Sequence, residues 1–76
     1  IEDITYWKKR DKRIYRKIAN LIESIIIDPY SGIGKPEQLK NTGDNYWSRR
    51  ITKEHRIVYL VEGNSIYLIQ CRFHYD

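Results

Sequence analysis

Two kinds of hydrophobic spacing divide this chain. Up to about residue 28 the apolar positions recur every three or four residues; from residue 46 onward they alternate with polar ones. Ile1, Ile4 and Trp7 sit three apart and predict a short amphipathic helix. Asp11 is placed to break it and to cap a second helix. From there Ile14, Ile18, Leu21, Ile22 and Ile25 form one apolar stripe, at spacings of four, three, one and three. Pro29 stops that helix, and "DPYSGIGKP" (28–36) continues as a loop.

After the loop the period becomes two. "YWSRRIT" (46–52), "RIVYLVE" (56–62) and "SIYLIQCRF" (65–73) are rich in Val, Ile, Tyr and Trp, the residues that suit strands. Lys53-Glu54-His55 and Gly63-Asn64 are tight connections. The expectation is a single α+β domain over residues 1–76. Helices over about 1–28 pack on an antiparallel meander over about 46–74, and 29–45 is the loop between them. Alternation puts Tyr46, Ser48, Arg50 and Thr52 on one face, and Arg56, Val58 and Leu60 on one face of the next strand. Ile66, Leu68, Gln70, Arg72 and His74 share a face of the third. One register gathers Arg50, Arg56 and His74 over a concave surface, where Arg72 could join them.

Composition narrows the class. Charged residues make up 32% and hydrophobic residues 41%, a globular balance rather than a disordered one. No apolar run is long enough to span a membrane, and no signal peptide is visible. Cys71 stands alone, which suits a reducing cytoplasm, and its strand neighbours make it a buried, inert thiol rather than a nucleophile. The net charge of +4 is uneven: "KKRDKRIYRK" (8–17) holds seven of the fourteen Lys and Arg with a single Asp. Lys8, Lys9, Lys12 and Arg13 in this cluster favour a polyanionic partner through counterion release. The ordinary alternative is a solvated helix face.

The candidate chemistry is acid–base. Two histidines, one cysteine and scattered carboxylates show no metal-ligand spacing, and no phosphate-loop or dinucleotide motif occurs. RNA carries its own nucleophile, the 2′-hydroxyl. Cleaving it without metal or cofactor needs a base for that proton, cations for the phosphorane and an acid for the leaving 5′ oxygen. Glu37, Arg50, Arg56 and His74 supply those types. Each also has a plain reading: a helix-start carboxylate for Glu37, surface ion pairs for the arginines, an ordinary C-terminal residue for His74.

"GKPEQLK" (34–40), "WSRRITKEHRIVY" (47–59) and "CRFHY" (71–75) resemble the YoeB/Txe branch of the RelE superfamily of bacterial toxins, and "YWKKRDKRI" (6–14) is similar to that family's helix junction. The resemblance implies a RelE-like fold and a type II toxin–antitoxin ribonuclease of the bacterial cytoplasm. Such a toxin enters the A site of the 70S ribosome, cuts mRNA there and halts translation. It implies Glu37 as general base, Lys40 as its basic neighbour and Arg50 as a phosphate contact. It further implies Arg56 as the transition-state arginine, His74 as general acid and Tyr75 as the family's terminal tyrosine. A YefM/Axe-like antitoxin and a toxin homodimer are the implied protein partners. His55 is read as a structural, turn-side residue.

Two departures stand out. The family's usual N-terminal strand is not represented before the first helix, and Asp76 extends past the terminal tyrosine. Two rival functions share the pattern: a ParE-like toxin that inhibits gyrase by protein contact, and an RNA- or ribosome-binding module without catalysis. The combination of Glu37, Arg56 and His74 favours the nuclease.

Overall fold

The computed structural model of the chain describes residues 1–73. Helix α1 (Glu2–Arg10) and helix α2 (Lys12–Ile27) are separated by one residue. That residue, Asp11, serves both. Its backbone N–H donates to the Trp7 carbonyl at 2.9 Å and closes α1. Its carboxylate accepts from the Arg13 and Ile14 amides at 3.0 and 3.3 Å and opens α2. The stripe expected on α2 is the one that packs: Ile18, Leu21 and Ile25 are buried, with Ile14 and Ile22 half-buried beside them. Asp28 ends α2 in an extended conformation, the one a following proline enforces.

The sheet has four antiparallel strands in the order β1-β2-β3-β4. They are β1 (Glu37–Gln38), β2 (Tyr46–Arg50), β3 (Arg56–Glu62) and β4 (Ser65–Gln70). Three of them come from the expected alternating segments. The fourth, β1, lies in the segment read as loop and pairs Glu37 with Ser48 and Gln38 with Trp47. Two residues carry no readable alternation; only the partner strand reveals them. Glu37 is therefore an edge-strand residue and not a helix start. The last strand is shorter than expected, since Cys71 to Phe73 leave the ladder as bends.

Helices cover one sheet face. Trp7, Ile18, Leu21 and Ile25 meet Ile51, Ile57, Tyr59 and Cys71 in the core. A bulge at Val58/Tyr59 corrects the alternation expected for β4: Leu68 pairs with Tyr59 on the core face, and Gln70 pairs with Val58 on the open face. Leu68 and Gln70 thus point to opposite sides.

Arg49 is completely buried within the helix-covered layer. Its Nε donates to the Tyr59 hydroxyl at 3.1 Å. Nη1 donates to Ser24 Oγ at 2.7 Å and the Ile33 carbonyl at 3.1 Å. Nη2 donates to the carbonyls of Asp28 at 2.7 Å and Ser31 at 2.9 Å. Every N–H of the fork is used. Tyr59 donates its own hydroxyl proton to the Pro29 carbonyl at 2.6 Å. Burial pushes that phenol's pKa up against the opposing pull of Arg49, which keeps it a donor. Asp28 adds a turn: its carboxylate accepts from the Tyr30 amide and the Ser31 hydroxyl, both at 2.9 Å. These bonds, with a smaller contribution from Arg49, hold its pKa below the usual value. At Gly34 (φ 83°) the carbonyl takes the Arg50 amide at 2.6 Å. A Cβ there would sit 2.6 Å from Leu21 Cδ2, so only glycine lets this segment lie on α2.

Arg49→Met keeps the volume but removes the buried donor fork from three loop carbonyls and two hydroxyls. It should lower stability by about 3 kcal/mol or more. Arg49→Lys should recover only part, because an ammonium offers three donors and no fork. Urea denaturation of the three proteins checks both statements.

Candidate functional site

The register of β2 against β3 places Arg50 directly opposite Arg56. Like charges in this position repel, since facing Cβ atoms are about 5 Å apart. Arg50 is exposed and hydrogen-bonds to no described residue through its side chain. One row further along the same helix-free face run Glu37, Ser48, Val58 and Gln70, one from each strand, with Ser48 and Val58 buried. Glu37 therefore lies diagonal to Arg50. Strand spacing puts its Cα about 12 Å from that of Arg56, a gap the two long side chains can bridge with a phosphodiester between them.

Arg56 is held by its own hairpin. Nη1 donates to the carbonyls of Thr52 at 2.9 Å, His55 at 3.1 Å and Lys53 at 3.4 Å. The Thr52 hydroxyl accepts from the Glu54 and His55 amides at 3.2 and 3.1 Å and keeps those carbonyls in place. Nε and Nη2 bond to no described residue. The side chain is thus anchored at one nitrogen, with its other donors free of protein partners among the described residues.

The segment leading to His74 is fastened at five backbone atoms. The Cys71 amide donates to Asp3 Oδ2 at 2.9 Å, and the Cys71 carbonyl accepts from Trp7 Nε1 at 2.8 Å. Gln70 Nε2 donates to the Arg72 carbonyl at 2.9 Å. The Phe73 amide donates to His55 Nδ1 at 2.8 Å, and the Phe73 carbonyl accepts from the Arg56 amide at 3.1 Å. Phe73 holds φ at 62°, a left-handed conformation that costs a non-glycine residue about 1–2 kcal/mol. His74 and Tyr75 lie outside the described residues.

Arg72 does not join the arginine pair. Its guanidinium lies 3.7 Å from the centre of the Tyr6 ring on α1 and 4.8 Å from that of Phe73. Its buried Nε has no hydrogen-bond partner among the described residues. Lys40 is exposed, two residues beyond β1. In the helical layer, Lys8, Lys9 and Lys12 line a groove of about 610 Å³ between α1 and α2, with Thr5, Tyr15 and Arg16. Arg13 is exposed but does not line it. Tyr15 and Arg16 were not singled out from the sequence, although the helical period places Arg16 one turn after Lys12. Gln70 and Asp3 were missed altogether; nothing local marks a side chain whose partner is a distant backbone atom. No helix among the described residues is long and apolar enough to cross a membrane.

Residues 1–75 match the model of the YoeB-like toxins of bacterial type II toxin–antitoxin systems. The chain belongs to this family. It is 49% identical over 74 residues to Toxin YoeB of Escherichia coli strain K12, covering 97% of this chain and 88% of the relative. The solved YoeB/ParE toxin from Agrobacterium tumefaciens superposes with a TM-score of 0.90 at 49% identity, covering 97% of this chain and 88% of that one. A YoeB–YefM complex from Staphylococcus aureus contains a chain similar at TM-score 0.87 and 44% identity, with 97% and 86% covered.

Cys71 is fully buried in this YoeB-like toxin. Burial, with the nearby Asp3 charge, pushes its thiol from an ordinary 9.0 up to about 12. The folded state therefore holds a proton that the unfolded state releases above about pH 9, so stability should fall as pH rises through that interval. At pH 8 the folded toxin should resist a thiol-specific disulfide reagent and react fully only in urea; rapid labelling without denaturant would contradict the burial.

Proposed function

We propose that the toxin is a ribosome-dependent, metal-independent endoribonuclease that cuts mRNA in the A site of the 70S ribosome. The observation that supports this most directly is the facing pair of an exposed Arg50 and a half-buried Arg56, which no carboxylate among the described residues neutralises. Such a pair is unfavourable in the free protein and becomes favourable with an anion between its members. Glu37, one row away, takes the proton of the 2′-hydroxyl. Arg50 and Arg56 stabilise the phosphorane as its charge develops. His74 gives a proton to the leaving 5′ oxygen, and Lys40 and Tyr75 hold the RNA strand. Arg56 is already anchored through Nη1, so less motion has to be frozen when the phosphate arrives.

The basic groove between α1 and α2 is a second polyanion site, and it docks on ribosomal RNA. The helices cover one sheet face and the arginine pair occupies the other, so ribosome docking and mRNA chemistry use separate surfaces. A YefM/Axe-like antitoxin is the protein partner, a reading supported by the YefM complex of the Staphylococcus aureus relative. Homodimerisation is the accompanying assembly.

Primer extension on mRNA in a purified translation system tests the nuclease reading. Arg56→Ala should lose about 10²–10³ in cleavage rate while keeping the fold and ribosome affinity, and His74→Ala should lose cleavage likewise. A folded Arg56→Ala that cleaves normally would remove Arg56 from the chemistry.

Replacing Lys8, Lys9 and Lys12 by glutamine should weaken ribosome binding. The logarithmic salt slope should flatten by about one unit per lost phosphate contact. Binding measured from low to moderate salt decides it: an unchanged slope means the groove faces only water.

A further inference from the structure

His55 closes the β2–β3 connection, directly before β3, yet its ring reaches the segment that follows β4. Nδ1 accepts the Phe73 amide at 2.8 Å, across eighteen positions of sequence. An acceptor carries no proton, so the ring is held as the tautomer protonated at Nε2. The ring stands edge-on to Trp7 at 4.9 Å and tilted to Phe73 at 5.7 Å, which fixes its plane. On its main-chain side the same residue accepts from Arg56 Nη1 at 3.1 Å through its carbonyl. One residue thus grips both the guanidinium of Arg56 and the backbone that continues into His74.

The other bonds to residues 71–73 hold Cys71, the Arg72 carbonyl and the Phe73 carbonyl. None of them holds the Phe73 amide. With φ at 62°, that residue needs its surroundings to keep it left-handed. Without an acceptor at Nδ1 the amide turns to water and the segment can relax to an ordinary extended conformation.

We infer that His55 is a positioning residue for the acid–base chemistry: its Nδ1 holds the Phe73 amide and thereby sets the backbone from which His74 follows. This rests on the nuclease reading above. A displacement of about 1 Å at a reacting group can cost on the order of 10²-fold in rate. The bond is exposed and competes with water, so the expected loss is about tenfold to hundredfold in kcat.

The test uses two variants of the full chain. His55→Phe keeps a ring against Trp7 but has no acceptor. His55→Asn loses the ring and returns an acceptor at the position of Nδ1. Each is measured for thermal stability, for amide hydrogen exchange at Phe73, and for kcat and KM on ribosomes carrying mRNA. His55→Phe should stay folded, exchange its Phe73 amide much faster and lose tenfold to hundredfold in kcat, with KM unchanged because the basic groove is untouched. His55→Asn should slow the exchange again and recover most of the rate. Normal kcat in His55→Phe with the amide exposed, or no rescue by a folded His55→Asn, overturns the inference. If the wild-type toxin leaves ribosome-bound mRNA intact, the nuclease reading fails, and the exchange at Phe73 still decides separately whether His55 holds the segment.

Discussion

A guanidinium removed from water must find an acceptor for each of its five N–H groups, and Arg49 finds them in three loop carbonyls and two hydroxyls. No carboxylate among the described residues bonds to it directly. Its charge is solvated by a ring of protein dipoles instead, and each dipole must be brought to it. That requirement shapes the molecule. The C-terminal end of α2, the turn after Asp28 and the backbone up to Ile33 all converge on one planar fork of β2. Gly34 then passes its carbonyl to Arg50, and three residues later Glu37 pairs with Ser48. An irregular segment of low propensity thus delivers a carboxylate to the sheet edge at a defined height.

The neighbouring arginines of β2 show how alternation separates two uses of one side chain. Arg49 faces inward and satisfies itself within the protein. Arg50 faces outward beside Arg56, and no described residue satisfies its side chain. The first holds the frame; the second is left to solvent. The hairpin adds a third arrangement, with Arg56 tied at one nitrogen and open at the others.

Much of this was legible in the residues themselves. The α2 stripe, the double duty of Asp11 and the three alternating strands are local patterns, and local patterns survive into the fold. The facing of Arg50 and Arg56 was one of several registers the alternation allowed. Three features were hidden for a common reason. Strand β1 exists only because β2 lends it hydrogen bonds; the bulge opposite Val58 exists only because β4 must swing Cys71 into the core; and Arg72 leaves the arginine group because Tyr6 is waiting on α1. Each is decided by a partner far away in sequence. Arg49 is different: alternation puts it on the same face as Trp47 and Ile51, and a charge on an apolar face was a visible sign that something must solvate it.

The clamp on residues 71–73 has a consequence in time. Asp3 and Trp7 meet Cys71 across 68 and 64 positions of sequence, so these are loops closed over nearly the whole chain. Such closure is entropically costly and comes late. A chain growing on a ribosome makes this segment after every element it docks on. The helices, the hairpin and the buried arginine can all be in place while the open face still lacks its final wall. The clamp thus ties residues 71–73 to the first helix only after the frame between them has formed.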